Sequence, residues 1–449
     1  MASKGRIRAA VAAERVRESL WFVPGVMVVA AAALASVLAT RRAPAPSLPV
    51  IDLLLPTDAD GARAVLQVVA ASVITVTSVV FSLTVVALQI TAGNYSPRVL
   101  RTFLRDFGTQ IVLGTFLATF AFTYLVLQNV RQLEGGNGAR WAPESAFVAI
   151  PFFVGGSLVA LVFFIHHVTQ AIRVDLIVTE VLDDLLTTIE KTHGSPSELV
   201  LEGHVRELVP AHAVPVAAGS SGFIQGFGLD RLGEVLCDAD AEAAIRPTVG
   251  DHVLEGAVLG WVWGRQHEDG VSDPTLDTMR DALQIGRERS LQQDVAFGIR
   301  QLVDIAVRAL SPGVNDPNTA VTVIEHMAIA YAKLLDCGSG PVCWSDESGV
   351  RRVSVPYPTF EEYLHIMTQQ IGHYGNADLM VLLRLLRTLG ELKELAAPEH
   401  HEGIDRQVQW IVSEAETGLE IEAKVDSVRL AARDVLEGTR DFRHYTAAG

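Results

Sequence analysis

The chain has 449 residues, 49% of them hydrophobic and only 20% charged, with a formal net charge of −16; this is too long for one domain and too apolar for a wholly soluble protein. Almost all of the apolar excess precedes Val174, while the acidic balance comes mostly from the residues after it, which argues against nucleic acid as a partner of the C-terminal part. Three cysteines, Cys237, Cys337 and Cys343, form no CxxC pair and are odd in number, so neither a disulfide framework nor a cysteine zinc site is expected.

Crossing the hydrocarbon of a bilayer, about 30 Å, takes about 20 mostly apolar residues. Four stretches meet that length, approximately residues 20–40, 64–90, 111–130 and 147–165, and none carries Asp, Glu, Lys or Arg in its central portion. The first has basic residues before it and Ala35 and Ala39 near its end, as a signal peptide does, but its apolar run is too long for one and a retained helix is expected. Lys4, Arg6, Arg8, Arg15 and Arg17 precede the first stretch, Arg98, Arg101 and Arg105 lie between the second and third, and Arg173 follows the fourth. The intervening loops are acidic or mixed, with Asp52, Asp58 and Asp60 against Arg41 and Arg42, and Glu134 and Glu144 against Arg131 and Arg140. The positive-inside rule then predicts both termini in the cytoplasm.

In the second span Ser72, Thr75, Ser78, Ser82 and Gln89 recur at spacings of three, four and seven and share one helical face, opposed to a greasy face with Val76, Val80, Leu83 and Val86. Small hydroxyl residues permit close helix packing and bond back to their own helix. In an oligomer the same groups line a water-filled pore, replacing part of an ion's hydration shell. A proton-coupled transporter fits less well, because the spans lack carboxylates, and His166 and His167 lie only at the cytoplasmic end of the fourth.

Residues 175–190 continue as an amphipathic helix on Leu176, Val181, Leu182, Leu185, Leu186 and Ile189. A β-rich section is expected over 199–264, with strands in 209–216, 222–228 and 253–263. Its GDxVxxGxxL run, Gly250 to Leu259, resembles the hairpin of small barrel-sandwich modules such as lipoyl and biotinyl carriers, without the lysine that would carry a prosthetic group. Beyond Pro274 the pattern is helical, centred on residues 286–310, where Arg300, Asp304 and Arg308 stand four apart as a charge ladder. The helix must stop at Ser311-Pro312-Gly313, and Asp316 before Pro317 reads as the N-cap of the next. Arg287, Arg289, Asp294, Arg300, Asp304 and Arg308 with Asn315 and Asp316 form a candidate polar cluster for a small anion or a subunit contact. Residues 360–394 and 403–436 carry further helical periodicity. His365, His373, His400 and His401 have no HExxH spacing, and no phosphate loop, nucleophile elbow or dinucleotide fingerprint occurs, so neither metal, cofactor nor enzymatic activity is expected.

Two segments, FSLTVVALQITAGNYSPRVLRTFLRDFGTQIVLGTFLATF (81–120) and DVAFGIRQLVDIAVRALSPGVNDPNTA (294–320), resemble a family of predicted bacterial membrane proteins known as a domain of unknown function. The resemblance extends over nearly the whole chain. It implies a membrane protein of bacterial type, gives weight to Asn94, Tyr95, Ser96, Pro97, Arg98 and to residues 311–319, and supplies no catalytic residues.

The expected fold is an α-helical membrane bundle of four transmembrane helices followed by a cytoplasmic α+β region with a small β-barrel-like module and a helical bundle. Its expected divisions are residues 1–172, a connecting helix 173–198, the β module 199–270 and the helical domain 271–449. The function expected is a homo-oligomeric channel or pore of the bacterial cytoplasmic membrane, with lipid, further copies of the chain, and ions or a small anion as partners. The alternative is a membrane-anchored sensor or scaffold whose soluble domain binds a small ligand or protein.

Overall fold

A computed structural model describes residues 21–40, 59–94, 107–132, 141–142, 144–171, 174–193, 198–200, 209–265, 271–346 and 348–438. The basic residues that set the expected topology, from Lys4 to Arg17, Arg41, Arg42, Arg98, Arg101, Arg105 and Arg173, lie outside these, as does Tyr95-Ser96-Pro97-Arg98. The chain divides into two compact units, Met1–Arg173 and Val174–Gly449.

The first unit contains α1 (Phe22–Thr40), α2 (Ala59–Asn94), α3 (Phe107–Asn129), a short pair of strands β1 (Arg131–Gln132) and β2 (Trp141–Ala142), α4 (Glu144–Phe147) and α5 (Ile150–Ala171). Of these, α1, α2, α3 and α5 are long and apolar enough to cross a membrane. The hub is α3, which packs against each of the other three and has 56% of its apolar window buried, against 17%, 28% and 22% for α1, α2 and α5. Where α1 crosses α3, a side chain on Gly114 would run into Met27 and the backbone of Pro24, so the small residue sets the close approach. Between α3 and α5 the hydroxyls of Thr119 and Ser157 meet at 2.9 Å, and Phe122 stacks on Phe153 with centroids 4.4 Å apart. At one end Arg63 of α2 donates from Nη2 to the Val130 carbonyl at 3.0 Å, placing a cation where the C-terminal carbonyls of α3 are unsatisfied.

The second unit opens with α6 (Val174–His193), followed by β3 (Glu198–Val200), β4 (Val214–Ala217), β5 (Gly222–Phe227), α7 (Leu229–Asp238), β6 (Ala241–Ile245), β7 (His252–Val253), β8 (Val258–Gly264), α8 (Asp273–Ala282) and β9 (Leu283–Gly286). Then come α9 (Val295–Ala309), α10 (Pro317–Cys337), β10 (Val342–Ser345), β11 (Arg351–Val355), α11 (Phe360–Tyr374), α12 (Leu379–Leu395), α13 (Pro398–Gly418) and α14 (Glu422–Glu437). One sheet has the order β3-β10-β11-β6-β8-β4 and a second β7-β5-β9. All pairings are antiparallel except β11 with β6. Pro215 stands on the edge strand β4, where a missing N–H is tolerated. Ile224, Leu232, Leu236, Leu259, Met279 and Val353 are fully buried in one core that joins both sheets to α7 and α8.

Among the described residues neither sheet closes on itself, so the expected barrel-like module is corrected to two open sheets. The physical reason is strand supply: β9, β10 and β11 come from beyond residue 270, outside the expected β section, and α7 interrupts that section. The periodic run 286–310 is helical only from Val295; its first part spans the gap between β9 and α9. The two C-terminal helical stretches are four helices, broken at residues 375–378 by a turn capped by Asp378 and at residues 396–397 and 419–421.

Gly260 occupies the interior strand β8, opposite Ile245 on one side and Val216 on the other. A side chain there would meet the Ala244 carbonyl and Met279. Gly260→Val is expected to destabilise the second unit by about 1–3 kcal/mol through overpacking, seen as a melting temperature lowered by several degrees in thermal unfolding of the detergent-solubilised chain.

Candidate functional site

On α2 the residues Ala62, Leu66, Ala70, Val73, Thr77, Val80, Thr84 and Ala87 are buried, at the three- and four-residue spacing of one helical face. Ser72, Thr75, Ser78, Ser82 and Gln89 are all exposed, on the side turned away from that packed face. The structure therefore brings the expected stripe together and points it outward from the four helices. The greasy residues do not form one packed face: Val80 is buried, Val76 is half-buried, and Leu83 and Val86 flank the stripe exposed. Thr75 and Ser78 donate to the carbonyls of Ala71 and Ile74 at 2.7 and 3.0 Å, which satisfies their protons within the helix and leaves oxygen lone pairs facing outward.

The cytoplasmic cluster is divided by the length of α9. At its N-terminus Asp294 is the N-cap, its Oδ1 accepting from Phe297 N at 2.9 Å. Both carboxylate oxygens also accept from Arg289, Nε to Oδ2 and Nη2 to Oδ1 at 2.8 Å. Arg289 lies 5.2 Å from the centroid of the Phe297 ring. Asp294 is 1% exposed, and burial pushes its carboxyl above the usual range against the pull of Arg289 and Arg300. Gly250, at φ +92°, passes directly over this ion pair, where a Cβ would strike both partners. Arg287 is exposed, and Arg300 and Asp304 are half-buried along α9.

Arg308, Asn315 and Asp316 lie at the other end of α9, Arg308 being about 21 Å of helix from Asp294, so the eight residues do not line one pocket. They build the corner instead: Asp316 N donates to Ala309 O at 2.8 Å, Asp316 Oδ1 caps Thr319 N, and Asn315 takes φ +50°. Gln293 clamps the 287–294 segment onto β5, accepting from Phe227 N at 2.8 Å and donating to Phe227 O at 3.2 Å.

A buried polar group beside this clamp is marked by no sequence motif. His193, the last residue of α6, packs edge-on to Tyr357 and Tyr363 with centroids 5.2 and 6.0 Å away, and its Nε2 lies 3.4 Å from Tyr363 Oη. Tyr331 Oη in turn donates to the Tyr363 carbonyl at 2.7 Å. Burial lowers the His193 pKa to about 4. The signal in the sequence is weak: a histidine at the end of an amphipathic pattern, and tyrosines in segments with no motif. His401 Nε2 stands 3.1 Å from the Ala396 carbonyl, and among the described residues no group of three or more His, Cys, Asp and Glu side chains is placed to hold a metal ion.

Because the folded-state pKa of His193 is depressed, the native state binds fewer protons than the unfolded chain between about pH 6.5 and 4. The stabilisation is complete above the unfolded value and is lost as pH falls, by up to about 3 kcal/mol. The stability advantage of the unsubstituted chain over His193→Phe is expected to shrink by that order between pH 7 and pH 4 in denaturant unfolding. Asp294→Asn, which strands the Arg289 charge beneath Gly250, is expected to cost about 3 kcal/mol at neutral pH.

Among known proteins, the chain is 36% identical over 359 residues to an uncharacterized protein of Mycobacterium bovis and, equally, to one of Mycobacterium tuberculosis, the match covering 79% of this chain and 68% of each relative. No solved structure matches. Residues 17–391 match the family model described as "Predicted membrane protein (DUF2254)". The four apolar helices and the sheet-and-helix unit after them are therefore those of a predicted membrane protein, and the chain belongs to the DUF2254 family.

Proposed function

We propose that the protein is a homo-oligomeric channel or pore of the bacterial cytoplasmic membrane, with both termini in the cytoplasm and with residues 174–449 gating or supporting it. The observation that carries this reading is the outward position of Ser72, Thr75, Ser78 and Ser82 on the helix face opposite to the packed one. Helix packing among the described residues of one copy does not use these hydroxyls, and lipid offers no donor to the lone pairs that back-bonding leaves open. Copies of α2 facing one another across an axis give them water and ions instead. The 36 residues of α2 extend about 54 Å, well beyond the hydrocarbon thickness. With Asp60 and Arg63 at its outer end, the hydroxyls fall at mid-membrane depth and Gln89 at the cytoplasmic mouth. The acidic C-terminal part enriches cations near such a mouth.

The test is ion flux through purified protein in liposomes, comparing the unsubstituted chain with Ser82→Leu at matched reconstitution. Flux that falls by an order of magnitude or more in Ser82→Leu, with unchanged oligomeric state, supports the pore. Absence of flux from folded, oligomeric protein overturns it in favour of a membrane-anchored sensor or scaffold.

A further inference from the structure

One end of the helical bundle in the second unit carries apolar side chains that no described residue of the unit covers. The turn between α9 and α10 exposes Val314, the turn between α11 and α12 exposes Tyr374 and Met380, and the turn between α13 and α14 exposes Ile421, at 45%, 57%, 44% and 53%. These three turns are neighbours: Leu310 fills the space beside Gly375, and Asn376 the space beside Gly418. Asn376 also donates to Glu414 at 3.2 Å, with His373 on the same carboxylate. The first turn is held rigid, with Asn315 N and Val314 N both donating to the Ser311 carbonyl at 2.9 and 3.0 Å, so Val314 is presented rather than collapsed.

The same end holds the point at which the chain enters the unit. Leu185 of α6 fills the space beside Gly298 of α9, and Thr188 Oγ1 donates to Leu291 O at 2.9 Å, so α6 runs antiparallel to α9. From these contacts α6 runs back to Val174 and α9 runs forward to Ala309 over equal lengths, about 16 Å each. Val174 is thus level with the exposed turns, and Leu176 beside it is 45% exposed. Only residues 172 and 173 separate Val174 from the end of the apolar α5, a linker that reaches at most about 11 Å.

We infer that this end of the bundle rests on the lipid surface, with Val314, Tyr374, Met380 and Ile421 reaching the headgroup region. A covalent tether this short keeps the bilayer beside the tip, so contact requires no association of separate molecules, and a tyrosine among aliphatic side chains is the composition of a membrane interface. The contact is apolar rather than electrostatic. Asp316 and Asp378 are occupied as helix caps and Glu422 pairs with Arg429, while Glu420 is exposed beside Ile421, so zwitterionic lipid suffices. The inference rests on α5 crossing the bilayer and not on the existence of a pore.

The test uses the full chain in phosphatidylcholine nanodiscs, with Val314→Cys, Ile421→Cys, Ala397→Cys and Val159→Cys each carrying an environment-sensitive fluorophore, and the labelled unsubstituted chain as blank for its native thiols. Ala397 lies at the far end of α12, about 25 Å from the tip, and Val159 is an exposed position within α5. Lipid bearing a headgroup nitroxide is expected to quench the labels at 314 and 421 several-fold more than the one at 397. Equal quenching at all three, with the label at 159 quenched by acyl-chain nitroxide, overturns the lipid contact while leaving the span intact. Labels at 314 and 421 shielded from a water-soluble quencher yet untouched by lipid nitroxide mean that protein covers the tip, and overturn it as well. An unquenched label at 159 removes the span itself and the inference with it.

Discussion

Desolvation of polar groups in hydrocarbon is the constraint on which the first unit depends. A backbone or hydroxyl group without a partner there costs several kcal/mol by the order of magnitude for apolar transfer, and the helices answer it locally. Thr75, Thr77, Ser78, Thr84 and Thr115 each donate to the carbonyl four residues back. Such back-bonding makes a hydroxyl nearly neutral toward burial, so burial is then decided by shape. Thr77 and Thr84 pack inward while Thr75 and Ser78 point out, although all four solve the donor problem in the same way. The unequal burial of the spans has the same origin: α3 has partners on three sides, whereas α1, α2 and α5 offer apolar surface to whatever solvent surrounds them.

In the second unit the corresponding constraint is the joining of two architectures through one short segment. Residues 287–294 connect β9 to α9, and three polar contacts hold that connection: Gln225 donates to Glu288 O, Gln293 closes on Phe227, and Arg289 closes on Asp294. A buried ion pair is weak evidence of net stability but strong evidence of a fixed geometry, since either charge alone in that place is costly. Gly250 over the pair brings the turn between β6 and β7 against the start of α9, and His193 ties the end of α6 to α11. The start of the helical bundle is therefore fixed from the sheet side by polar contacts and along its length by apolar ones.

How much of this was legible in the sequence depends on how local each signal is. Four apolar runs, the amphipathic α6 and the cap at Asp316 are statements about neighbouring residues, and the periodicity that marks the outward stripe of α2 lies within one helix. The sheets were not legible in the same way. The pairing of β11 with β6 joins Val353 to Ala243, and that of β10 with β3 joins Val342 to Val200; short strands of three to five residues carry no record of partners so far away. The candidate polar cluster failed for a related reason. Spacing places Arg300, Asp304 and Arg308 on one face, but only the length of α9 decides that Asp294 and Asp316 belong to opposite ends.

The division of that cluster changes what its two halves mean. At the N-terminal end the Arg289–Asp294 pair is buried and internally satisfied, so its chemistry is used up in holding sheet to bundle. The C-terminal half is a turn whose N–H groups at Ser311, Val314, Asn315 and Asp316 are bonded within the corner and whose residues Pro312, Gly313, Val314 and Asn315 are exposed. Rigid, exposed and apolar is an expensive state for a loop in water, because it keeps the ordering cost of the turn without the gain of burial. The lipid contact inferred for this end of the bundle supplies that gain, since Ser311 to Pro317 stand at the same end of the second unit as Val174.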